Sequence, residues 1–211
     1  MIDQELLEYA QAHTTPESPV LHQLDRETNL TKVYPRMLAG QLQGTLLRFI
    51  SLMIKPHRIL EIGTFTGYSA INLAEGLQEG GMLHTIEVDP EQEEIIRRYV
   101  QEAGMDNRIH LHIGSAAEII PTLDETWDLV YLDADKPSCL LYYQMVFERL
   151  QPGGFLLADN ALWDGKVLAP RDKMNRDARG IDELNEFVMR DDRVENLLLP
   201  FRDGIMIIRK K

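Results

Sequence analysis

Cysteine is almost absent from this sequence, and so are the usual signs of secreted or membrane proteins. Cys139 is the one cysteine among 211 residues, so an intrachain disulfide is excluded and a reducing, intracellular setting is favoured. The N-terminus is polar and acidic, without the pattern of a signal peptide, and we expect no apolar run of transmembrane length. The expected location is therefore the cytoplasm, and no membrane partner is expected.

Positive charge is also scarce. Lys and Arg number 22 against 34 Asp and Glu, which gives a net charge of −12 with the acidic residues spread along the chain. A large non-specific nucleic-acid footprint needs a basic face, so this composition argues against one, although it leaves room for a local basic patch. The apolar fraction of 44% is ordinary for a globular protein, and 211 residues suit a single domain.

The common phosphate-binding glycine motifs are missing as well. The stretch from Arg58 to Ser69 joins a short apolar run to a turn at Gly63 and Gly67 and then to the start of a helix, which is typical of a ligand crevice in a parallel sheet. A dinucleotide fingerprint has glycine two positions after Gly63, where Phe65 stands, and no G-x-x-x-x-G-K-[ST] motif occurs. We therefore expect a nucleoside ligand without a pyrophosphate. The alternative is a tight strand-to-helix connection that binds nothing.

From residue 58 onward, apolar runs and helical periodicities alternate, which predicts a doubly wound α/β sheet with helices on both faces. Strands are predicted at 58–63, 82–88, 109–114, 127–134, 153–160, 194–201 and 204–209, and helices at 67–78, 90–103, 115–122, 138–150 and 175–190. Residues 202–204, Arg-Asp-Gly, would join the last two strands as a terminal antiparallel hairpin. Residues 1–57 are expected to form a cap of N-terminal helices on a Rossmann-like core of residues 58–211.

The N-terminal cap is predicted to hold three helices. Ile2 and Leu6 have helical spacing in the first helix, which should stop near Thr14, and the second helix is expected to end before Asn29. The third, over residues 37–54, has apolar residues with a 3.6-residue period and is expected to cover one edge of the sheet. Three roles stay open for it: covering a substrate pocket, forming a dimer face, or packing alone.

Polar side chains follow the predicted strands at the edge where a ligand would lie. Glu87 ends the second strand, 24 positions beyond Gly63, and can accept hydrogen bonds from both ribose hydroxyls of a nucleoside. Asp133, Asp159 and Asn160 end two strands that should be neighbours. Two carboxylates and an amide oxygen form an all-oxygen ligand set suited to Mg²⁺, Mn²⁺ or Ca²⁺. The alternative for each residue singly is to cap the helix or turn that follows.

Together these motifs resemble the cation-dependent O-methyltransferases of the caffeoyl-CoA and catechol type, within the class I S-adenosylmethionine-dependent methyltransferases. The matching pieces are L-E-I-G-x-x-x-G-Y-S over residues 60–69, D-A-D-K over 133–136, Tyr142, and D-N-A-L-W-D-G over 159–165. The segment 37–44 resembles the family's lid helix. The D-A-D-K and D-N motifs are more specific than the glycine turn.

The resemblance implies a cofactor site, a cation site and a fold with a closing hairpin. S-adenosylmethionine would be bound by Ala39, Glu61, Gly63, Thr64, Ser69, Glu87, Ala116, Asp133, Asp135 and Tyr142. A divalent cation, with Mg²⁺ expected before Mn²⁺ or Ca²⁺, would be held by Asp133, Asp159 and Asn160. Lys136 matches the lysine proposed as the family's general base, with Asp133 beside it in the catalytic site, and Trp163 would line the site of an aromatic acceptor.

The implied reaction transfers a methyl group to a hydroxyl of a small catechol-like acceptor whose two vicinal oxygens face the cation. Lys136 can take the hydroxyl proton only when it is neutral, and its alternative role is a plain ion pair with Asp135 or another strand-end carboxylate. Two departures limit the likeness. Ala39 stands where the family often has Ser or Thr, and residues 169–179 match poorly the region where plant members contact the CoA-linked part of the substrate. CoA-ester specificity is therefore not implied.

Other interpretations stay open. The acceptor could be a hydroxylated nucleoside in tRNA, which the net charge of −12 disfavours, or the fold could be a non-catalytic cofactor-binding module, which the intact acidic and lysine motifs disfavour. His110 and His112 share one face of a strand, as zinc ligands can, but no third soft ligand accompanies them, so ordinary strand histidines are favoured. Family members are often dimers, and a homodimer is expected here.

Overall fold

The computed structural model describes residues 4–211, so the predicted helical position of Ile2 lies outside the described residues. Its strands are β1 (Arg58–Ile62), β2 (Met82–Glu87), β3 (Ile109–Ile113), β4 (Trp127–Leu132), β5 (Leu150–Asp159), β6 (Val194–Leu199) and β7 (Ile205–Lys210). Its α-helices are α1 (Gln4–Ala12), α2 (Pro19–Thr31), α3 (Gly40–Ile54), α4 (Tyr68–Ala74), α5 (Glu93–Glu102), α6 (Ala116–Ile119), α7 (Cys139–Phe147) and α8 (Arg176–Arg190). The predicted α/β sheet with N-terminal helices is confirmed.

All seven strands form one sheet in the order β3-β2-β1-β4-β5-β7-β6. Strands β1 to β5 are parallel, and β7 is antiparallel to both β5 and β6, which makes the terminal hairpin. The chain winds outward from β1 to β3 and then returns to β4 on the other side of β1. The carboxyl ends of β1 and β4 therefore flank the switch point where ligands bind in sheets of this kind.

The central strands β1 and β4 are buried on both faces, which is why they read as continuous apolar runs. Ile59 belongs to the core that α2, α3, α4 and α5 form on one face. The next residue, Leu60, belongs to the core that α6, α7 and α8 form on the other face. Because successive side chains of a strand point to opposite faces, β1 contributes side chains to both cores. This packing on both faces anchors the strand from which the glycine turn starts.

Several predicted boundaries differ from the structure. The helices predicted over 67–78 and 138–150, for example, are shorter, at Tyr68–Ala74 and Cys139–Phe147. Four differences have a local cause. Helix α2 continues to Thr31, beyond the expected end before Asn29, because the Lys32 amide still bonds to the Thr28 carbonyl. Strand β5 begins at Leu150, three residues early, because that residue pairs with β4 across a register irregularity. The helix predicted over 115–122 keeps one α-helical turn and ends in a 3₁₀ turn, Ile120–Thr122, that contains Pro121. The helix predicted from residue 37 begins at Gly40, after a 3₁₀ turn, Pro35–Met37.

Helix α3 lies on a face of the sheet and not over its edge. Its buried residues Leu47 and Ile50 pack in the same core as α4, which corrects the expected position.

The segment Pro35–Ile54 is long and apolar enough to cross a membrane by length and composition alone. The expectation that the sequence contains no apolar run of transmembrane length is therefore wrong for this segment. Helices packed inside proteins meet the same criteria, which makes this weak evidence for a membrane. Its outer side exposes Phe49 and Met53, a candidate face for the predicted homodimer.

Candidate active site

A cavity of about 1100 Å³ opens at the carboxyl ends of the central strands. Nearly all of the site residues predicted from the sequence line it: Ala39, Gly63, Thr64, Ser69, Glu87, Ala116, Asp133, Asp135, Lys136, Tyr142, Asp159, Asn160 and Trp163. Glu61 is the exception, because its side chain is fully buried beneath the turn. The structure therefore brings the predicted cofactor, cation and acceptor residues to one cavity.

The glycine turn after β1 is held by a carboxylate from β2. Glu87 Oε2 accepts hydrogen bonds from the backbone amides of Thr64 at 3.2 Å and Phe65 at 2.7 Å, and its Oε1 accepts one from the Asp89 amide at 2.9 Å. Gly63 and Phe65 both have positive φ, at 98° and 54°. Besides facing the cavity as a ribose acceptor would, Glu87 therefore fixes the shape of the turn.

Glu61 lies below this turn in a polar cluster inside the core. Its Oε2 accepts a hydrogen bond from Thr85 Oγ1 at 2.5 Å, and Thr85 Oγ1 also lies 2.5 Å from Thr64 Oγ1. Its Oε1 is buried without a partner. Burial raises the pKa of Glu61 from 4.5 to about 8, against the lowering effect of the nearby Ser69 and Thr85 hydroxyls. Direct contact between Glu61 and a cofactor stays a prediction.

Two acidic residues after β4 have different partners. Lys136 Nζ donates to Asp133 Oδ1 at 2.8 Å, and Tyr142 OH donates to Asp135 Oδ1 at 3.0 Å. Burial by itself lowers the pKa of Lys136, but nearby groups, first of them Asp133, raise it above its ordinary value. Lys136 is therefore a charged partner of Asp133, and the ion pair expected as the alternative to a general base is present.

Asp159, at the end of β5, has donors on both of its oxygens. Its Oδ2 accepts from Tyr131 OH at 2.7 Å and from Gln43 Nε2 at 2.5 Å, while its Oδ1 accepts from the Asn160 amide at 2.7 Å. Burial raises the pKa of the Tyr131 phenol well above its ordinary value, so the phenol keeps its proton and acts as a donor. These bonds hold one carboxylate orientation beside Asp133.

The donor set of Asp133, Asp159 and Asn160 fits a hard divalent cation. Burial raises the pKa of Asp133 to about 6, Lys136 opposes that rise, and the charge of Asp159 adds to it. Two neighbouring carboxylates in a partly buried wall favour a positive ion between them. Among residues 4–211 no group of three or more His, Cys, Asp or Glu could hold a metal. A cation held by these three residues would leave coordination positions for water or for acceptor oxygens, because Mg²⁺ and Ca²⁺ take six or more oxygen ligands.

Trp163 follows the proposed cation ligands in a strained turn. Its φ is 47°, and Asp164 and Gly165 are also left-handed, so this segment turns back sharply toward the hairpin. The ammonium groups of Lys136 and Lys166 lie 5.9 and 5.7 Å from the centre of its indole ring. Its indole nitrogen is buried without a partner. The ring therefore gives the cavity one aromatic wall beside Lys136.

His110 and His112 form a cluster with a histidine from β2. His84 Nδ1 lies 3.0 Å from His112 Nε2, and the ring centres of His110 and His112 are 4.5 Å apart. Burial lowers the pKa of His84, and it lowers the pKa of His112 to about 4. The cluster lies on strands β2 and β3 against buried Trp127. His84 and His112 are therefore neutral, and the cluster consists of ordinary strand histidines, as favoured from the sequence.

Three side chains of the site were not predicted. Tyr131 stands within an apolar run and reads as a core residue, and Gln43 is a polar residue within the apolar stripe of α3. Arg202, predicted only as part of the hairpin, donates from Nη1 to Gln43 Oε1 at 3.0 Å. The available signal was the polar Gln43 at a position where the 3.6-residue period requires an apolar side chain.

This arrangement can be compared with known proteins. The profile of the O-methyltransferase family matches residues 11–211. The chain belongs to this O-methyltransferase family. It is an S-adenosylmethionine-dependent enzyme of the caffeoyl-CoA and catechol type.

Relatives and solved structures give the extent of the likeness. The chain is 35% identical to the mouse catechol O-methyltransferase domain-containing protein 1, over 99% of this chain and 80% of that protein. It is 30% identical to caffeoyl-CoA O-methyltransferase 2 of Populus trichocarpa, over 92% and 83% of the two chains. The O-methyltransferase TomG of Streptomyces achromogenes, solved in complex with SAM, superposes with a TM-score of 0.92 at 28% identity over 100% of both chains. This O-methyltransferase therefore shares both its fold and its cofactor with proteins of the family.

Proposed function

We propose that the protein catalyses a divalent-cation-dependent methylation of one hydroxyl on a small aromatic acceptor with vicinal hydroxyls. One observation carries the proposal: Asp133, Asp159, Asn160 and Trp163 line the same cavity as the glycine turn that follows β1. The printed names of the mouse and Populus relatives, which refer to catechol and to caffeoyl-CoA, add support for this acceptor class.

The chain's own groups have distinct roles in this proposal. When bound, S-adenosylmethionine supplies the methyl group, and a divalent cation supplies positive charge that favours the ionised acceptor hydroxyl. The glycine turn, held by Glu87, would bind and orient the cofactor, and Trp163 would stack against the acceptor ring. Contacts made against the buried part of the cavity wall are stronger than they would be in water, because the local dielectric is lower there.

Lys136 is proposed to act on the acceptor proton. Its Nζ is bonded to Asp133 and lies near the face of Trp163, so it stands between the proposed cation ligands and the aromatic wall. As a charged donor it can bind the acceptor oxygen, and it can accept the proton only after releasing its own. Lys136→Met should therefore lower kcat more than it raises KM for the acceptor.

A small acceptor is favoured over a tRNA nucleoside by the charges that line the cavity. The cations are Lys32, Arg36, Lys136, Lys166 and Arg202, and the carboxylates are Glu87, Asp89, Glu91, Asp133, Asp135, Asp159, Asp164, Asp177 and Asp203. The phosphate backbone of a tRNA would meet more repulsion than attraction at the entrance of a cavity with this charge.

The test is methyl transfer from S-adenosylmethionine to catechol, measured with Mg²⁺ and with EDTA. The wild type should turn over only with Mg²⁺, and Asp159→Asn should lower turnover by at least about 100-fold because it weakens cation binding. The matched control is Asp164→Asn, a cavity carboxylate whose side chain is 78% exposed; its turnover should stay close to that of the wild type. Undiminished turnover in EDTA would overturn the cation dependence. Cofactor binding without turnover would shift the proposal to another acceptor, such as the tRNA nucleoside.

A further inference from the structure

A chain of hydrogen bonds joins the terminal hairpin to Asp159 by way of α3. Arg202 Nη1 donates to Gln43 Oε1 at 3.0 Å, and Gln43 Nε2 donates in turn to Asp159 Oδ2 at 2.5 Å and to Tyr131 OH at 3.1 Å. Arg202 Nη2 also donates to the Leu38 carbonyl at 3.4 Å. Gln43 is 2% exposed, so its amide is buried, while Arg202 is an exposed residue whose guanidinium reaches this amide from the surface.

The chemistry of the two neighbours fixes the orientation of the Gln43 amide. A guanidinium has only donors, and a carboxylate has only acceptors. The amide can satisfy both only when its oxygen faces Arg202 and its NH₂ group faces Asp159. Without Arg202, that oxygen would lose its partner and the amide could rotate away from Asp159.

Arg202 also contacts the segment before α3, which the family resemblance assigns to the cofactor side of the cavity. Leu38 precedes Ala39, and both residues line the cavity next to the start of α3. Arg202 has a φ of 51°, a left-handed conformation that an arginine adopts only at a cost in free energy. Glycine would adopt this backbone conformation at a lower cost. The contribution of Arg202 to this turn therefore lies in its side chain, which makes the contacts with Gln43 and Leu38.

We propose that Arg202 is a positioning residue that couples the segment over the cofactor to Asp159 through the Gln43 amide. This inference rests on the proposed function, because it takes Asp159 as a ligand of the divalent cation. Its consequence is that cofactor and cation bind cooperatively, each raising the affinity for the other by the same factor. Residues that orient metal ligands in this way commonly change metal affinity by about 10- to 100-fold.

The experiment measures Mn²⁺ binding by electron paramagnetic resonance, with and without S-adenosylhomocysteine, on the full chain. In the wild type, S-adenosylhomocysteine should tighten Mn²⁺ binding. In Arg202→Gly the tightening should disappear and Mn²⁺ affinity should fall by about tenfold. Arg202→Lys keeps the positive charge, but a single ammonium group cannot donate to Gln43 and Leu38 together as the two guanidinium nitrogens do. Its Mn²⁺ affinity should therefore lie between those of Arg202→Gly and the wild type.

Lys55→Gly is the matched control, because Lys55 is an exposed cation with a φ of 52° at the end of α3. It should leave Mn²⁺ affinity and its dependence on S-adenosylhomocysteine unchanged. Urea unfolding checks that Arg202→Gly still folds. Glycine relieves the left-handed strain at this position, which offsets part of the loss of the hydrogen bonds to Gln43 and Leu38, so the unfolding midpoint should stay close to that of the wild type.

The outcomes separate the inference from the proposed function. A wild type that binds Mn²⁺ together with an Arg202→Gly variant of equal affinity and equal cooperativity would overturn the inference alone. If Arg202→Gly lowers the free energy of unfolding but leaves Mn²⁺ binding unchanged, Arg202 has only a structural role, and the inference is also overturned. A wild type that binds no Mn²⁺ would overturn the proposed cation dependence and this inference with it.

Discussion

Gly63 and Asp133 approach so closely that no side chain fits between them. A Cβ atom on Gly63 would lie 2.1 Å from the Asp133 carbonyl oxygen, far inside van der Waals contact. The Asp133 amide also donates to the Ile62 carbonyl at 2.9 Å. The glycine turn after β1 and the acidic motif after β4 therefore form a single rigid unit, in which the proposed cofactor and cation residues hold each other in place.

The first prediction is that Gly63→Ala costs more than Gly67→Ala. Both glycines have positive φ, at 98° and 93°, but a Cβ on Gly67 would come no nearer than 3.5 Å to Ile96. Gly67→Ala should cost roughly 1–2 kcal/mol from the left-handed backbone alone. Gly63→Ala adds a backbone clash and should cost roughly 3 kcal/mol or more of unfolding free energy. Urea unfolding of the two variants checks this, and equal losses would contradict it.

The second prediction concerns Glu87, whose carboxylate accepts three backbone amides around the turn. Glu87→Gln removes the charge and turns one acceptor into a donor. Since hydrogen bonds to a charged group are worth about 1.5–3 kcal/mol, the turn should loosen and the affinity for S-adenosylhomocysteine should fall by at least about tenfold. Calorimetric titration measures the affinity. The control is Glu91→Gln, because Glu91 is an exposed carboxylate at the same cavity. A similar loss of affinity in this control would mean that the net charge of the cavity, and not the hydrogen bonds of Glu87, determines cofactor binding.

The sheet and most of the site could be predicted from the sequence because their signals are local. Asp133 and Asp159 each end an apolar run, and topology alone brings the ends of two neighbouring parallel strands together. In the same way, the glycine turn is contained in a dozen residues. Such features need only the period of the pattern and the winding rule of the fold.

The features that could not be predicted depend on distant contacts. Gln43 bonds to Asp159 across 116 positions of sequence, and nothing near either residue indicates the other. The family resemblance placed Glu61 at the cofactor, and only the structure shows that its side chain is buried below the glycine turn. Its direct contact with a cofactor stays a prediction. Helix α2 exceeded its predicted length because backbone bonding at Lys32 outweighs the low helix propensity of Asn29 and its neighbours.

The third prediction is an acid-sensitive contribution from the histidine cluster. Burial, and after it the neighbouring His110 and His84, lower the pKa of His112 from 6.5 to about 4. Between these two pH values the unfolded chain binds a proton that the folded protein does not. This contribution to stability is therefore present above pH 6.5 and is lost as the pH falls toward 4. Glu125 and Arg58, which also act on His84, oppose each other.

His112→Gln should flatten the acid side of the stability profile, because a neutral amide has no proton to bind. Urea unfolding between pH 4.5 and 7.5 gives the profile. His22→Gln is the control, since the His22 side chain is 70% exposed and lies outside the cluster. If both variants keep the slope of the wild type, His112 does not stay neutral in the folded protein.

The fourth prediction has the opposite sign and concerns Glu61. Its carboxyl is fully buried, and burial raises its pKa from 4.5 to about 8, so the folded protein retains a proton that the unfolded chain has released. This contribution is complete below pH 4.5 and is lost as the pH rises to 8. Where the profile is steepest, a single proton changes the free energy of unfolding by about 1.4 kcal/mol per pH unit. The wild type should therefore lose stability between pH 6 and 8.

Glu61→Gln tests this directly, because glutamine has the shape of the protonated acid and does not titrate. Its amide can still accept from Thr85, while its NH₂ group occupies the place of Oε1, which has no partner. We expect the difference in unfolding free energy between Glu61→Gln and the wild type to shift in favour of the variant as the pH rises from 6 to 8. A difference that stays constant over that range would mean that Glu61 is ionised in the folded protein, held so by the hydroxyls of Ser69 and Thr85 against the effect of burial.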